Sequence, residues 1–123
     1  MNTLESIKIS EDKSNLTWTY NGEHVHINLE NIGQAIEDKV QGKIVVSVCR
    51  GKWPYLIKVY SFSGEEIYSI SEPKPYEFYY LKAHSDYGVS VICTSKESVD
   101  GRMDWQFVID YSSGQLKRAA PSY

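Results

Sequence analysis

Isolated glycines and prolines cut this chain into short runs rich in Val, Ile, Tyr, Phe and Trp, and that punctuation limits what it can fold into. β-Branched and aromatic side chains suit a pleated, half-buried surface, and Gly, Asn and Asp supply the positive φ of tight turns. The pattern predicts an antiparallel meander, with strands near 5–10, 15–20, 23–28, 43–49, 55–62, 65–71, 76–83, 88–94, 104–111 and 115–119. Asn21-Gly22 is the strongest hairpin dipeptide among the turns.

One segment reads differently. Leu29, Ile32, Ile36 and Val40 recur at helical spacing, with Glu37, Asp38 and Lys39 on the opposite side. Asn28 or Asn31 offers an N-cap, and Gly42 suits the left-handed residue past a helix end. The spacing predicts one amphipathic helix near 29–41, packed on a twisted or curled sheet, with Gly33 held by packing despite its cost of about 1 kcal/mol relative to Ala.

The chain also resembles itself. Val45-Val46-Ser47-Val48-Cys49 matches Val89-Ser90-Val91-Ile92-Cys93, and the run from Tyr55 to Ile67 matches the run from Trp105 to Leu116. Each unit reads strand, loop, strand, Ser-Gly turn, strand. Asp110-Tyr111-Ser112-Ser113-Gly114-Gln115-Leu116 ends as the blades of WD-repeat and quinoprotein β-propellers end, and residues 43–120 resemble such blades; Tyr60 stands where a second Asp would be expected. The expected core is Val46, Val48, Ile57, Val59, Val91, Phe107 and Ile109, closed over by Ile32 and Ile36.

A chain of 123 residues holds one core, so residues 1–123 are read as one mostly β domain. No apolar run approaches the roughly 18 residues of a membrane span. The N-terminus lacks the basic start and apolar stretch of a signal peptide, which makes a cytoplasmic protein the expectation. Cys49 and Cys93 then read as small buried or strand-end residues, bridged only if their strand ends lie side by side.

Charge is uneven. Residues 62–110 carry four basic and nine acidic side chains, a net of −5, while residues 1–61 are balanced. Such a segment repels phosphate and attracts a basic protein, so direct nucleic-acid binding is not expected.

Catalytic patterns are missing. His24 and His26 share a strand face and could chelate a metal, but no third ligand can be assigned. His84-Ser85-Asp86 is consecutive, so its side chains diverge where a triad must converge. The glycines form no phosphate cradle, and no cofactor is expected.

Recognition remains. In Tyr76-Glu77-Phe78-Tyr79-Tyr80-Leu81 the alternation puts Tyr76, Phe78 and Tyr80 on one face, and either a buried strand or an aromatic interface fits. The segment from Thr94 to Met103 reads as a long loop able to carry function. The candidate binding residues are Glu97, Asp100 and Asp104, with Tyr76, Tyr80 and Trp105 as aromatic anchors. In size, charge and aromatic content the chain resembles the small immunity proteins with which bacteria neutralise toxins. That resemblance implies a non-enzymatic inhibitor of a basic toxin domain, such as a nuclease. A structural subunit of a larger assembly, and a metal protein or enzyme using His24 and His26, are the alternatives.

Overall fold

The computed structural model describes residues 4–121, which form eleven strands paired antiparallel throughout. They fall into three meanders. The first sheet holds β1 (Leu4–Ile9), β2 (Asn15–Tyr20) and β3 (Glu23–Asn28). The second holds β4 (Ile32–Asp38), β5 (Lys43–Arg50), β6 (Trp53–Ser61) and β7 (Glu66–Ser71). The third holds β8 (Glu77–His84), β9 (Gly88–Val99), β10 (Arg102–Asp110) and β11 (Gln115–Pro121). The segments read from the sequence as copies of one unit lie on β5–β7 and on β9–β11.

Alternation along the strands explains the stacking. On β5, Ile44 and Val46 point to one side and Val45 to the other, and all three are fully buried. A strand apolar on both faces must lie in a central layer. Against the first sheet, Ile44, Val46, Ile32 and Tyr60 meet Leu16 and Trp18. Against the third, Val45, Ile57, Val59 and Ile70 meet Phe78, Leu81, Val89, Val91, Cys93, Phe107 and Ile109. All seven residues expected in the core from β5, β6, β9 and β10 are buried.

The expected helix near 29–41 is absent, and its centre is β4. A bulge between Ile32 and Gln34 inserts a residue, so Ile32 and Ala35, three apart, both face the first sheet while Ile36 faces the third. The bulge therefore imitates helical spacing without a helical face. At the bulge, a Cβ on Gly33 would lie 2.7 Å from Cys49 Sγ and 2.8 Å from Ser47 Oγ, so the glycine permits a close approach of β4 to β5. Gly42, read as a helix cap, has φ 71° in the β4–β5 turn, with its N–H donating to Asp38 O at 2.9 Å. The strands also do not curl as one sheet, because β4–β6 carry apolar residues on both faces and divide the molecule into three layers.

Polar side chains tie the second sheet to the third. Asp38 is fully buried at the end of β4; its Oδ1 accepts the N–H groups of Val40 (3.0 Å) and Gln41 (2.8 Å), and its Oδ2 accepts the Tyr111 hydroxyl at 2.6 Å. Tyr68 on β7 donates to Tyr111 O at 2.6 Å. The Gln34 amide pairs with the Leu81 backbone, donating to its carbonyl at 3.1 Å and accepting its N–H at 2.7 Å. A buried carboxylate with three donors is stabilised without a cation.

Candidate functional site

The Asp100-Gly101 pair, with φ 50° and 81°, makes a two-residue hairpin turn, and β9 and β10 run up to it. The segment expected to be a long loop is therefore a hairpin, closed by pairing of Val99 with Arg102. A register shift between Arg102 and Asp104 sets it off from the rest of the sheet.

The candidate residues separate into two groups. Arg118 on β11, which the sequence reading did not single out, gathers three of them. Its guanidinium lies 4.1 Å from the Trp105 ring centroid, its Nη2 is 2.5 Å from Asp100 Oδ2, and its Nη1 donates to the Tyr76 hydroxyl at 3.2 Å. The hydrogen bonds to the Tyr76 and Asp100 oxygens hold the Arg118 guanidinium more firmly protonated than usual. Tyr76 is buried edge-on against Phe107, their centroids 5.0 Å apart, so its ring belongs to the core. Trp105 is half-buried and donates its indole N–H to Val99 O at 3.0 Å. Glu97 is exposed on the hairpin, with its carbonyl accepting the Ser95 hydroxyl, and Asp104 is half-buried opposite Thr94.

Tyr80 belongs to the second group. A register shift between Phe78 and Tyr80 breaks the alternation of β8, so Phe78 and Leu81 point inward while Tyr79 and Tyr80 are both exposed. The face shared by Tyr76, Phe78 and Tyr80 in the simple alternation does not exist. The Tyr79 ring lies 5.0 Å from Tyr80 and 6.1 Å from Trp53, which is 62% exposed. Trp53 was missed by sequence reasoning, although Gly51-Lys52-Trp53-Pro54 carries a signal. The Gly51 φ of 64° makes a tight β5–β6 turn, and a Trp leaving such a turn stands at the sheet rim.

Beside Trp53 lies a shallow cavity of about 190 Å³, lined by Trp53, Pro54, Glu72, Glu77, Phe78 and Thr94. Glu77 also lines a cavity of about 410 Å³ along the hairpin, with Pro75, Ser95, Glu97 and Val99. Glu77 is common to the linings of both depressions, and the two together make up the candidate groove between the β5–β6 turn and the hairpin. Glu72 Oε2 accepts the Phe78 N–H at 2.8 Å, which fixes its carboxylate at the groove wall.

The other chemical candidates are placed as follows. His26 Nε2 is 2.7 Å from Asn15 Oδ1 and His24 Nδ1 is 3.4 Å from Thr19 Oγ1; among the described residues no three His, Cys, Asp or Glu side chains are grouped to hold a metal. His84 Nδ1 accepts the N–H groups of Asp86 (3.0 Å) and Tyr87 (3.2 Å), and its ring stacks on Tyr87 at 4.2 Å, as befits a polar turn. Cys49 and Cys93 are both free thiols, and burial, followed by the Glu72 charge, pushes Cys93 up to about 12. No helix of the described residues is long and apolar enough to cross a membrane. Comparison of the chain with protein-family models, curated proteins and solved structures found no match.

Proposed function

We propose that this chain is a non-enzymatic protein-binding module that occupies a basic partner, in the manner of a cytoplasmic immunity protein neutralising a toxin domain. The observation that carries this reading is the exposed ring cluster Trp53–Tyr79–Tyr80 at one end of an acid-lined groove. Aromatic side chains clustered on a rigid surface supply large contact area at low entropic cost and are enriched where partners bind. Glu72, Glu77 and Glu97 line the groove against one base, Lys96. That balance favours a cationic partner and opposes a phosphate backbone. A nuclease toxin, which must itself attract nucleic acid, presents such a basic surface.

The test is capture from the native host, read by mass spectrometry. The expected result is a basic protein retained by the wild-type chain and lost by a folded Trp53→Ala, Tyr80→Ala double variant. Capture that survives the double variant, or capture of acidic partners only, would overturn the reading.

A second reading, a structural subunit of a larger assembly, is favoured by a different observation. Two successive four-stranded meanders stack face to face with the self-similar segments on their last three strands, as blade-like copies of one unit would. Co-purification at fixed stoichiometry with several subunits would support it over the inhibitor.

A further inference from the structure

The protein already holds one arginine of its own in a defined way. Arg118 lies against the Trp105 ring while a carboxylate, Asp100, meets its edge. A guanidinium is suited to this arrangement because its flat face stacks on an aromatic ring while its in-plane N–H groups point at acceptors. The groove beside Trp53 repeats the ingredients without the cation. Trp53 exposes most of its ring, Glu72 and Glu77 line the same cavity, and the remaining wall is Pro54, Phe78 and Thr94. Among the described residues, cations lie over the rings of Tyr111, Tyr55 and Trp105, and none over Trp53. The carboxylate of Glu77 makes no ion pair with any described residue.

We propose that this groove is a receptor for an arginine side chain of an extended basic segment in the partner protein, with the guanidinium between the Trp53 ring and the carboxylates of Glu72 and Glu77. The proposal rests on the reading of the chain as a module for a basic partner, and it names where and how that partner is gripped. The apolar stem of the arginine would lie against the exposed part of Trp53 and beside Thr94. The flanking backbone would follow the groove past Glu77 toward Glu97. Stacking and ion pairing at an exposed site are each weak, so a single arginine binds in the millimolar range and affinity comes from the rest of the segment.

The probe is a capped Gly-Arg-Gly-Arg-Gly peptide, and the reporter is the Trp53 indole N–H resonance, assigned with Trp53→Phe. Titration of the whole chain should move that resonance saturably, leaving those of Trp18 and Trp105 in place. The peptide with citrulline for arginine, equal in shape but uncharged, should not move it. Glu77→Gln should weaken binding about two- to fivefold, and the lysine peptide should bind less tightly than the arginine one. Because Trp53 and Glu77 are exposed, both variants should fold, and unchanged melting would verify it. A Trp53 resonance that stays fixed at millimolar peptide, that responds equally to citrulline, or that ignores Glu77→Gln overturns the proposal. Failure here together with capture of a basic partner that depends on Trp53 would discard the arginine site and leave the binding module standing. Loss of both would remove the module as well.

Discussion

The two layer interfaces of this molecule are built differently. Between the second and third sheets twelve buried residues form one cluster, and the polar links through Asp38, Tyr111, Tyr68 and Gln34 cross it. Between the first and second sheets the buried cluster has six residues, fringed by half-buried Leu4, Ile7, Ile9, Val25 and Ile27. Its cross-layer polar links include the Trp18 indole N–H donating to Phe62 O at 2.7 Å and the Ile32 N–H donating to Lys13 O at 2.9 Å. Stability in such a stack is local, and the layer with less buried area opens first. The first sheet should therefore be the labile unit, docked on a more stable pair that also carries the candidate groove.

Equal truncations at the two interfaces would break or sharpen this comparison most strongly. Phe107→Ala and Trp18→Ala should each cost about 3–5 kcal/mol in denaturant titrations. Their consequences should differ. Phe107→Ala should lower protection of every amide together, whereas Trp18→Ala should release β1–β3 while the amides of β5 and β9 stay protected in hydrogen exchange. Equal loss everywhere in both variants would mean that the three layers unfold as one.

The polar crossing comes next. Asp38→Ala leaves the Tyr111 hydroxyl and two backbone N–H groups without their acceptor, at a cost of about 2–3 kcal/mol. Gly88→Ala attacks the same point from β9. Gly88 has φ 84°, and a Cβ there would overlap the Asp38 carboxylate, so the variant should be at least as unstable as Asp38→Ala. A Gly88→Ala chain as stable as the wild type would show that Asp38 can move without loss.

Alkali should act on both interfaces and is a gentler test. Burial raises Cys93, at the second–third interface, from 9.0 to about 12, and raises Tyr60, at the first–second, from 10.0 to about 12. In each case the unfolded chain releases a proton that the folded chain keeps. The resulting stability is complete below about pH 9, and is lost as pH rises from there toward 12. Stability measured in urea should fall over that window, and Cys93→Ala should flatten the lower part of the fall. A stability independent of pH up to 11 would contradict the burial of both groups.

The smallest effect belongs to the surface. The Lys58–Glu66 pair, 2.8 Å apart, should contribute about 0.2–1 kcal/mol, and a double-mutant cycle in low and high salt would measure it. A larger, salt-independent coupling would mean that the pair fastens the β6–β7 edge.

Ten of the eleven strands were legible in the sequence because turn chemistry is local: Asn21-Gly22, Ser63-Gly64 and Ser113-Gly114 each place positive φ between two β-rich runs. β4 was not legible. Its bulge at Gly33 shifts the apolar positions to a spacing of three, and only the close approach of Ser47 and Cys49 shows why that glycine is there. The candidate site divides along the same line. Tyr80 and the acids Glu97, Asp100 and Asp104 were named as candidates from composition and charge, with their segment read as a loop, but whether an aromatic residue is core or surface depends on which layer covers it. Tyr76 is covered by Phe107 and held by Arg118, forty-two residues away in sequence, whereas the bulge in β8 turns Tyr79 and Tyr80 outward, where Tyr79 meets Trp53. The sequence by itself determined ten of the strands and most of their turns, since these follow from the preferences of a few adjacent residues. The tertiary structure alone decided the layering, and with it which rings and carboxylates line a groove, since that depends on contacts between residues remote in sequence.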